Sequence, residues 1–490
     1  MNWYLFGIGF YILLLVAVSI YASKKVKTGE DFAVAGRSLP YWLLSFTFAG
    51  LWFGGGTVIG TTGVAFEYGF WSTDAAWGVI PDPYGAGLCL ILAGLFYFNT
   101  LRKLKGVTLA DFFEARFGKK AGLLSTLVMI FGWVFFVAAQ IVVFGKVFNS
   151  ILGWSYNLSI WLGVILVVLY TIAGGLWSVA LTDMVQMIIV LAGIIIAVPV
   201  GLNAVGGFSE IKANLPGEMI SFIPSFNPDF STMGRWLPWI AGWMTIGLGS
   251  IASPDINQVA QAGATDRDVK WASITAGFIY WFFGSLVVLL GLIGAALVAK
   301  GTLTLEMLGG DSELIMPVMI QQLFPLPLAV IFVSAILAAV MSSADGALLA
   351  LSTLFTRNIL PFFQKKTVDP KKELLYSRLV VVIFAVVTTI IGISYPHAYL
   401  LMNFGFDSLL AGLFVPLTLA IYWKRTTEKG FFAGVISGIL VRVILCGFLE
   451  GWSMETVMYP EKWYLYTMIA PLVNLVFTVS VSLMEKKVNE

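Results

Sequence analysis

The chain has 490 residues, of which 59% are hydrophobic and only 11% are charged, and its formal net charge is +2. Soluble globular proteins carry about 25% charged residues, so this composition excludes a soluble enzyme, and the small net charge gives no indication of a nucleic-acid partner. The apolar residues come in blocks of about 20, the length of a helix that crosses a bilayer. The sequence therefore predicts an all-α polytopic membrane protein whose partners are the lipid bilayer and small solutes, with no nucleic acid.

Thirteen apolar stretches follow one another along the chain, and the ends predicted for them are uncertain by about 2–4 residues. The first stretch lacks the basic leader and small-residue cleavage site of a signal peptide, so we expect it to be a retained helix. We predict membrane spans at Trp3–Ala22, Trp42–Phe66, Trp77–Phe98, Ala121–Ile151, Leu158–Gly174, Val179–Gly201, Trp236–Ala260, Trp271–Val298, Leu326–Leu354, Leu379–Ser394, Tyr399–Trp423, Phe431–Phe448 and Tyr464–Leu483.

The Lys and Arg residues concentrate in alternate connections between these spans, as the positive-inside rule requires. Of the 29 such residues, 23 lie in the segments 23–41, 101–120, 261–270, 355–378, 424–430 and 484–490. This alternation predicts a plasma (inner) membrane protein with its N-terminus outside and its C-terminus in the cytoplasm. The least defined join is the short, uncharged AGGLWS between the fifth and sixth spans.

Two of the predicted spans contain sequences that are poorly suited to a continuous helix, GLWFGGG at 50–56 and GLGSIASPD at 247–255. A helix break inside a membrane frees backbone groups, and it persists only where it is buried or lines a cavity. Secondary transporters place such breaks in the first helices of two inverted repeats. The alternative is close helix packing by small residues.

The two breaks lie five spans apart, and this spacing favours two inverted five-helix repeats whose first helices are both broken. The repeats would cover residues 42–201 and 236–423. Residues 1–41 and 431–490 would then be peripheral helices of the same single transporter domain.

The ninth span carries a run of small and hydroxyl-bearing residues on one helical face, namely Ala339, Ser342, Ser343 and Gly346. Its two hydroxyls, together with backbone carbonyls freed at the first break, would provide the several oxygens that a hard cation such as Na⁺ needs. Serine in a membrane helix can instead bond the carbonyl four residues earlier, which is the alternative interpretation.

Among the carboxylates inside predicted spans, four are candidates for cation binding, and each ionised group there costs about 2.5–3.5 kcal/mol on insertion scales. Asp345 follows the two serines, and Asp183 lies in LTDMVQ, where a helix-start carboxylate favoured by the helix dipole is the alternative. Asp255 and Asp407 have their own alternatives, namely pairing with backbone N–H groups or with Arg442. A bound cation is the natural counter-charge for at least one of the four.

The segments that contain these residues resemble motifs of the sodium/solute symporter family, and the resemblance extends over nearly the whole chain. The similar motifs are GRSL (36–39), TLADFFEARFG (108–118), YTIAGGLWSVALTDMVQ (170–186) and AAVMSSADGALLALSTLFTRNI (338–359). The resemblance implies a thirteen-helix, inverted-repeat transporter that uses the inward Na⁺ gradient to accumulate a small solute. Carried over by position, it implies a sodium site of the carbonyls of Gly50, Phe53 and Ala339 and the hydroxyls of Ser342 and Ser343, with Asp183 close by and Asp345 as a further candidate ligand.

Within that family, WxGGG (52–56), LILAGLFYF (90–98) and GILVR (438–442) are most similar to the high-affinity choline transporters. A quaternary ammonium is held by cation–π contacts with aromatic rings, and the resemblance implies a cage of four aromatic positions. These positions are Trp52, Ala86, Phe136 and Ser253 here, so only two of them are aromatic, while Tyr84, Trp133 and Gln140 lie close by in the sequence.

The expected function is therefore sodium-coupled import of a small organic solute, with a choline-like or other small amine slightly favoured. The first alternative is the same fold carrying a monocarboxylate, an amino acid, a vitamin or a sugar. A sensor or a channel is an alternative of another class. An enzyme is not expected, because a single histidine and the lack of a nucleophile constellation leave little chemistry.

Overall fold

Apolar blocks in the sequence form helices, since a helix satisfies every backbone hydrogen bond within one segment. The computed structural model describes residues 2–70, 78–224, 231–363 and 370–485, and in these ranges the regular elements are helices, apart from one isolated bridge between Leu39 and Gly263. The helices are α1 Asn2–Ser23, α2 Gly29–Val34, α3 Tyr41–Gly50, α4 Thr62–Tyr68, α5 Ile80–Arg102, α6 Leu109–Phe117, α7 Lys119–Leu152, α8 Tyr156–Val205, α9 Phe208–Asn214, α10 Ser231–Gly247, α11 Pro254–Ala262, α12 Asp266–Ala299, α13 Ile315–Leu323, α14 Leu326–Leu354, α15 Pro370–Ser394, α16 Ala398–Tyr422, α17 Glu428–Leu449, α18 Met454–Met458 and α19 Trp463–Met484.

Ten of the helices in the described ranges are long and apolar enough to cross a membrane. They coincide with ten of the thirteen predicted spans. The other three are the span at 42–66, which is divided between α3 and α4, the span at 236–260, which is divided between α10 and α11, and the span at 158–174, which is the short first half of α8. An all-helical membrane protein is confirmed, and the exact number of thirteen crossings stays a prediction.

The join between the fifth and sixth predicted spans is a bend at one residue. Helix α8 runs from Tyr156 to Val205 and departs from helical geometry at Gly175, where φ is 52° and ψ is −148°. That conformation is open almost only to glycine. A Cβ atom at Gly175 would also lie 2.5 Å from the carbonyl oxygen of Phe32 in α2. The two spans predicted to end at Gly174 and to begin at Val179 thus meet at this bend with no loop between them, and whether they are separate crossings stays a prediction.

Both predicted helix breaks are present. Helix α3 ends at Gly50, residues 51–54 form turns, and helical structure returns before α4. In the second break α10 ends at Gly247, a short 3₁₀ turn follows, and Ser253 is extended before α11 begins at Pro254. Proline at the first helical position needs no N–H partner, which suits it to restart a helix.

The broken helices lie at the centre of the helix assembly. Helix α3 packs against α8 and α12, and α14 packs against α7 and α8. All residues of α14 from Phe332 to Leu354 are buried. By contrast, about a third or less of α1, α15, α17 and α19 is buried, so these helices present most of their apolar surface to lipid. The oxygen-rich face of α14 is therefore held against the first break, away from lipid.

Candidate ion and solute site at the broken helices

The Gly50 carbonyl is freed by the helix break and faces the two serines of α14. In an uninterrupted helix it would accept the N–H of Gly54, but that N–H bonds the Trp52 carbonyl at 2.6 Å. The hydroxyls of Ser342 and Ser343 instead donate to the Gly50 carbonyl, at 2.8 Å and 3.1 Å. Ser342 Oγ also lies 3.2 Å from the Ala339 carbonyl. Four of the predicted sodium ligands thus come together, and the serines bond across helices rather than only within their own.

Asp183 lies directly beside this oxygen cluster. A Cβ atom at Gly50 would lie 3.2 Å from Asp183 Cβ and 3.3 Å from its Cγ. The aspartate is fully buried, and within the described part of the chain neither carboxylate oxygen accepts a hydrogen bond. It lies about two turns beyond the Gly175 bend, so the alternative of a helix-start carboxylate is not supported. An unpaired buried charge is costly, and a cation at the Gly50 carbonyl would be close enough to compensate it.

Asp345 is a second buried carboxylate in the same region. Its Oδ1 accepts the N–H of Gly346 at 2.6 Å, and it lies within electrostatic range of Asp183. Tyr11 of α1 lies near both carboxylates and accepts a hydrogen bond from Gln186 at 3.0 Å. Two neighbouring negative charges repel unless a positive charge shares the space.

Phe53, the remaining predicted sodium ligand, has its ring on another side of the break. The ring packs against Tyr280 of α12, with ring centroids 5.1 Å apart. Its backbone N–H still bonds the Ala49 carbonyl in helical fashion, at 3.0 Å. The role of the Phe53 carbonyl as a sodium ligand stays a prediction.

The glycines after Trp52 allow close approach of the backbone to two neighbouring helices. A Cβ atom at Gly54 would overlap Ser343 Oγ and lie 2.5 Å from Gln140 Oε1. The N–H of Gly55 donates to the same Gln140 oxygen at 2.8 Å. Gln140 is fully buried, and its amide nitrogen has no hydrogen-bond partner in the described ranges.

Trp52 and Phe136, the two aromatic positions of the predicted cage, belong to one buried ring cluster. Phe136 stacks on Trp133 with centroids 4.6 Å apart, and Phe406 of α16 lies 5.5 Å from Trp52 and 5.3 Å from Phe136. The Trp52 indole N–H donates to Asp255 Oδ2 at 2.9 Å. The sequence analysis did not identify Phe406, although this residue adjoins Asp407, one of the carboxylates expected inside a membrane span.

Tyr84 and Ser253 lie at different distances from this ring cluster. Tyr84 packs against Phe222 at 4.9 Å and bonds Ser285 at 3.2 Å, in a separate group of aromatic residues. Ser253 is buried at the start of α11, two residues before the Asp255 that bonds Trp52. The structure therefore brings Ser253 towards the ring cluster and leaves Tyr84 outside it.

The other charged residues inside the spans have partners. Arg442 Nε donates to Asp407 Oδ2 at 2.7 Å, as the pairing alternative predicted. Asp255 accepts the Ile256 N–H at 2.7 Å in addition to the Trp52 indole. Lys146 lies 2.6 Å from a carboxylate oxygen of Glu313, a partner in a distant connecting segment that the sequence analysis did not identify.

Comparison of the sequence with known proteins identifies a family and several relatives. The model of the sodium:solute symporter family matches residues 32–438. The human high affinity choline transporter 1 is 28% identical over 448 residues, which cover 89% of this chain and 75% of that protein. The osmoregulated proline transporter OpuE of Bacillus subtilis is 28% identical over 490 residues, which cover 96% of this chain and 94% of that protein.

A solved structure has the same fold. It is a Na⁺-coupled sialic acid symporter in a substrate-bound outward-open state, with a TM-score of 0.83 and 19% identity, and the match covers 98% of this chain and 97% of that one. The resemblance to the choline transporters is confirmed, and the chain is a transporter rather than an enzyme, with Na⁺ as its coupling ion. Since the family model covers most of the chain, this protein belongs to the sodium:solute symporter family.

Proposed function

We propose that this protein imports a small organic solute together with Na⁺ by alternating access. One observation supports the coupling to Na⁺ above the others. The fully buried Asp183, whose carboxylate has no hydrogen bond in the described chain, lies beside the freed Gly50 carbonyl, to which two serine hydroxyls also donate. The proposed ligands are Gly50, Phe53, Ala339, Ser342, Ser343 and Asp183, with Asp345 as a second carboxylate.

Sodium and solute favour the same closed form because their sites share one unwound segment. Gly50 contributes to the sodium site, and Trp52, two residues on, contributes to the ring cluster. A ligand that orders this segment lowers the cost of binding the other ligand, and this coupling is reciprocal. Each Na⁺ moving down the membrane field supplies about 2.3 kcal/mol per 100 mV, which is enough to concentrate a solute.

The proposed solute site is formed by Trp52, Phe136 and Gln140, with Ser253 and Tyr84 as outlying members. Aromatic faces attract a cationic nitrogen, and Trp133 and Phe406 add faces that the two non-aromatic cage positions lack. The indole N–H of Trp133 and the amide nitrogen of Gln140 have no acceptor among the described residues. These features favour a choline-like solute or another small amine that also carries an acceptor oxygen.

An amino acid such as proline is the second candidate, and a specific observation favours it. Two buried donors without acceptors suit a carboxylate better than they suit a single hydroxyl. The proline transporter OpuE is as identical to this chain as the choline transporter is, and the match covers more of its length.

The proposed arrangement in the membrane follows from the breaks and the basic connections. Repeat one covers residues 42–201 and repeat two covers 236–423, with residues 1–41 and 431–490 outside them. The N-terminus lies outside the plasma (inner) membrane, and the C-terminus lies in the cytoplasm. Support comes from the two interrupted helices and from the lipid-facing surfaces of α1, α17 and α19.

Ser343→Ala tests the sodium site. We expect the apparent Na⁺ affinity of the purified protein, measured from thermal stability against NaCl at constant ionic strength, to fall at least about tenfold, or about 1.4 kcal/mol. Ser334→Ala is the matched control, because within the described ranges this hydroxyl on the same helix donates to its own helix, at the Val330 carbonyl. An Na⁺ affinity that is the same in both variants contradicts the site.

The solute is identified by the same measurement. Choline, proline and a panel of monocarboxylates, vitamins and sugars are each added with and without Na⁺. The true solute raises the melting temperature only when Na⁺ is present, and Trp52→Ala abolishes that rise. If no solute depends on Na⁺, the coupling proposal fails.

A further inference from the structure

We infer that Asp82 and the oxygens around it form another site for a monovalent cation, separate from the one at Gly50. Asp82 lies within the PDP sequence at the start of α5 and is only 1% exposed. Its Oδ1 accepts the Tyr280 hydroxyl at 2.8 Å, and its Oδ2 accepts the Thr61 hydroxyl at 2.9 Å. In the described ranges no Lys or Arg forms a salt bridge with it.

This lack of a basic partner distinguishes Asp82 from the paired carboxylates in the same protein. Asp407 has Arg442, and Glu313 has Lys146. Among the described residues, the side-chain donors to Asp82 are hydroxyls. Hydroxyl hydrogen bonds do not neutralise a buried carboxylate, and a buried charge without a counter-charge is costly.

The short oxygen–oxygen contacts around Asp82 outnumber the hydroxyl hydrogens that can form hydrogen bonds in them. Tyr280 Oη lies 2.9 Å from the Trp52 carbonyl and 2.6 Å from Thr57 Oγ1, which itself lies 3.1 Å from that carbonyl. Thr61 Oγ1 is also 3.3 Å from the Asp82 carbonyl. With the two carboxylate contacts, six oxygen–oxygen contacts share the three hydrogens of three hydroxyls. A cation among these oxygens would supply the positive charge that the missing hydrogens do not.

The chemistry of these oxygens selects the ion. A carboxylate, two carbonyls and three hydroxyls are hard oxygen ligands of the kind that alkali and alkaline-earth ions prefer. One carboxylate balances one positive charge, whereas a divalent ion would leave a net positive charge buried. Among monovalent ions we select Na⁺, a choice that rests on the proposed function.

One unwound segment would serve both cation sites. The Gly50 carbonyl meets α14, whereas the Trp52 carbonyl meets Thr57 and Tyr280 of α12. The Asp82 ion would therefore join the helical segment at 56–61, just before α4, to α5 and α12, and it would add a further positive charge to each transport cycle.

Asp82→Asn and Thr61→Val test the site by direct ²²Na⁺ binding to the purified full-length chain. Each variant is expected to bind one Na⁺ fewer per chain than the wild type, and Ser343→Ala is expected to lose a different ion, so that Asp82→Asn/Ser343→Ala loses both. Thr47→Val is the matched control, since in the part of the chain that the structure describes this buried hydroxyl on α3 donates to the Leu43 carbonyl of its own helix. If Asp82→Asn does not fold, Thr61→Val and Tyr280→Phe carry the test.

The outcomes separate this inference from the proposed function. A full Na⁺ count in the Asp82 and Thr61 variants, together with a loss in Ser343→Ala, overturns the Asp82 site alone. A full Na⁺ count with one proton fewer bound in Asp82→Asn also overturns it, because the ligand is then a proton. A wild-type protein that binds no Na⁺ overturns both.

Discussion

Gly54 illustrates how the absence of a side chain shapes the proposed sodium site. Its φ is not in the left-handed region, so the requirement is space rather than backbone conformation. The backbone at Gly54 lies so close to Ser343 and Gln140 that a methyl group would displace both. A glycine at this position therefore sets the distance between the unwound segment and α14.

Gly54→Ala is expected to destabilise the protein by about 1–3 kcal/mol, because overpacking moves its neighbours, and to weaken Na⁺ binding by displacing Ser343. Thermal unfolding in graded NaCl measures both effects. Gly9→Ala is the control, since a Cβ atom at this α1 glycine has no neighbour within 4 Å. Unchanged Na⁺ dependence in Gly54→Ala would show that Ser343 is not held by this contact.

At the scale of elements, the segment between α12 and α14 is fastened by buried charges. Lys146 of α7 lies 2.6 Å from both Asp311 and Glu313. Glu313 also accepts the N–H groups of Ala398 and Tyr399 at the start of α16, where the helix dipole favours a negative charge. Burial alone raises the pKa of Glu313, but Lys146 outweighs it, so this pKa lies below its usual value. Three elements are thus joined through one carboxylate.

Glu313→Gln is expected to lower the free energy of unfolding by about 3–5 kcal/mol, the cost of breaking a buried pair. Because the folded-state pKa is lowered, the stabilisation is fully present above the unfolded value, about 4.3. It is lost as the pH falls below that value and through the folded-state pKa. The wild type should therefore lose its advantage over Glu313→Gln at acidic pH.

Thermal unfolding between pH 7 and pH 3 measures this convergence. Glu306→Gln, an exposed position in the same segment, should follow the wild type throughout. A difference between wild type and Glu313→Gln that stays constant with pH would contradict the role of the ionised carboxylate.

At the scale of the whole molecule, the rings of the cluster are buried, and two separate sets of hydrogen bonds join helices and connecting segments around it. In one of them Arg37 donates to the carbonyls of Lys105 and Gly106 and, at 3.1 Å, to the side chain of Gln261. In the other the Tyr399 hydroxyl bonds the Gly78 carbonyl at 2.6 Å. The proposed alternating access would open these two sets of contacts in turn, and they involve different helices.

The proposed orientation predicts which end faces the cytoplasm. The exposed Lys103 and Lys462 lie on opposite sides in that orientation, and both native cysteines are buried, so background labelling should be low. A membrane-impermeant maleimide applied to intact cells should label Lys462→Cys and leave Lys103→Cys unlabelled until the cells are lysed. The reverse pattern would invert the topology.

The sequence predicted the features that depend on neighbouring residues. Glycine-rich breaks and a serine face have local signatures, so Gly50, Ser342 and Ser343 were identifiable together. Phe406, Glu313 and Asp82 were not, because each acts through a partner far away in the chain: Phe406 with Trp52, Glu313 with Lys146, and Asp82 with Tyr280. Asp82 had a weak signal, a carboxylate between two prolines in an apolar stretch.

The bend at Gly175 connects the segment that holds Arg37 with the helix that carries Asp183. The carbonyl of Phe32 in α2 presses against this glycine, and Arg37 belongs to the same short segment between α1 and α3. Beyond the bend, the second half of α8 carries Asp183. If Arg37 released its partners and α2 moved away, the contact at Gly175 would be lost, and this half of α8 would be free to change its angle and to move the carboxylate away from Gly50. Opening of the contacts at Arg37 and release of the proposed sodium ion would then be one coupled event.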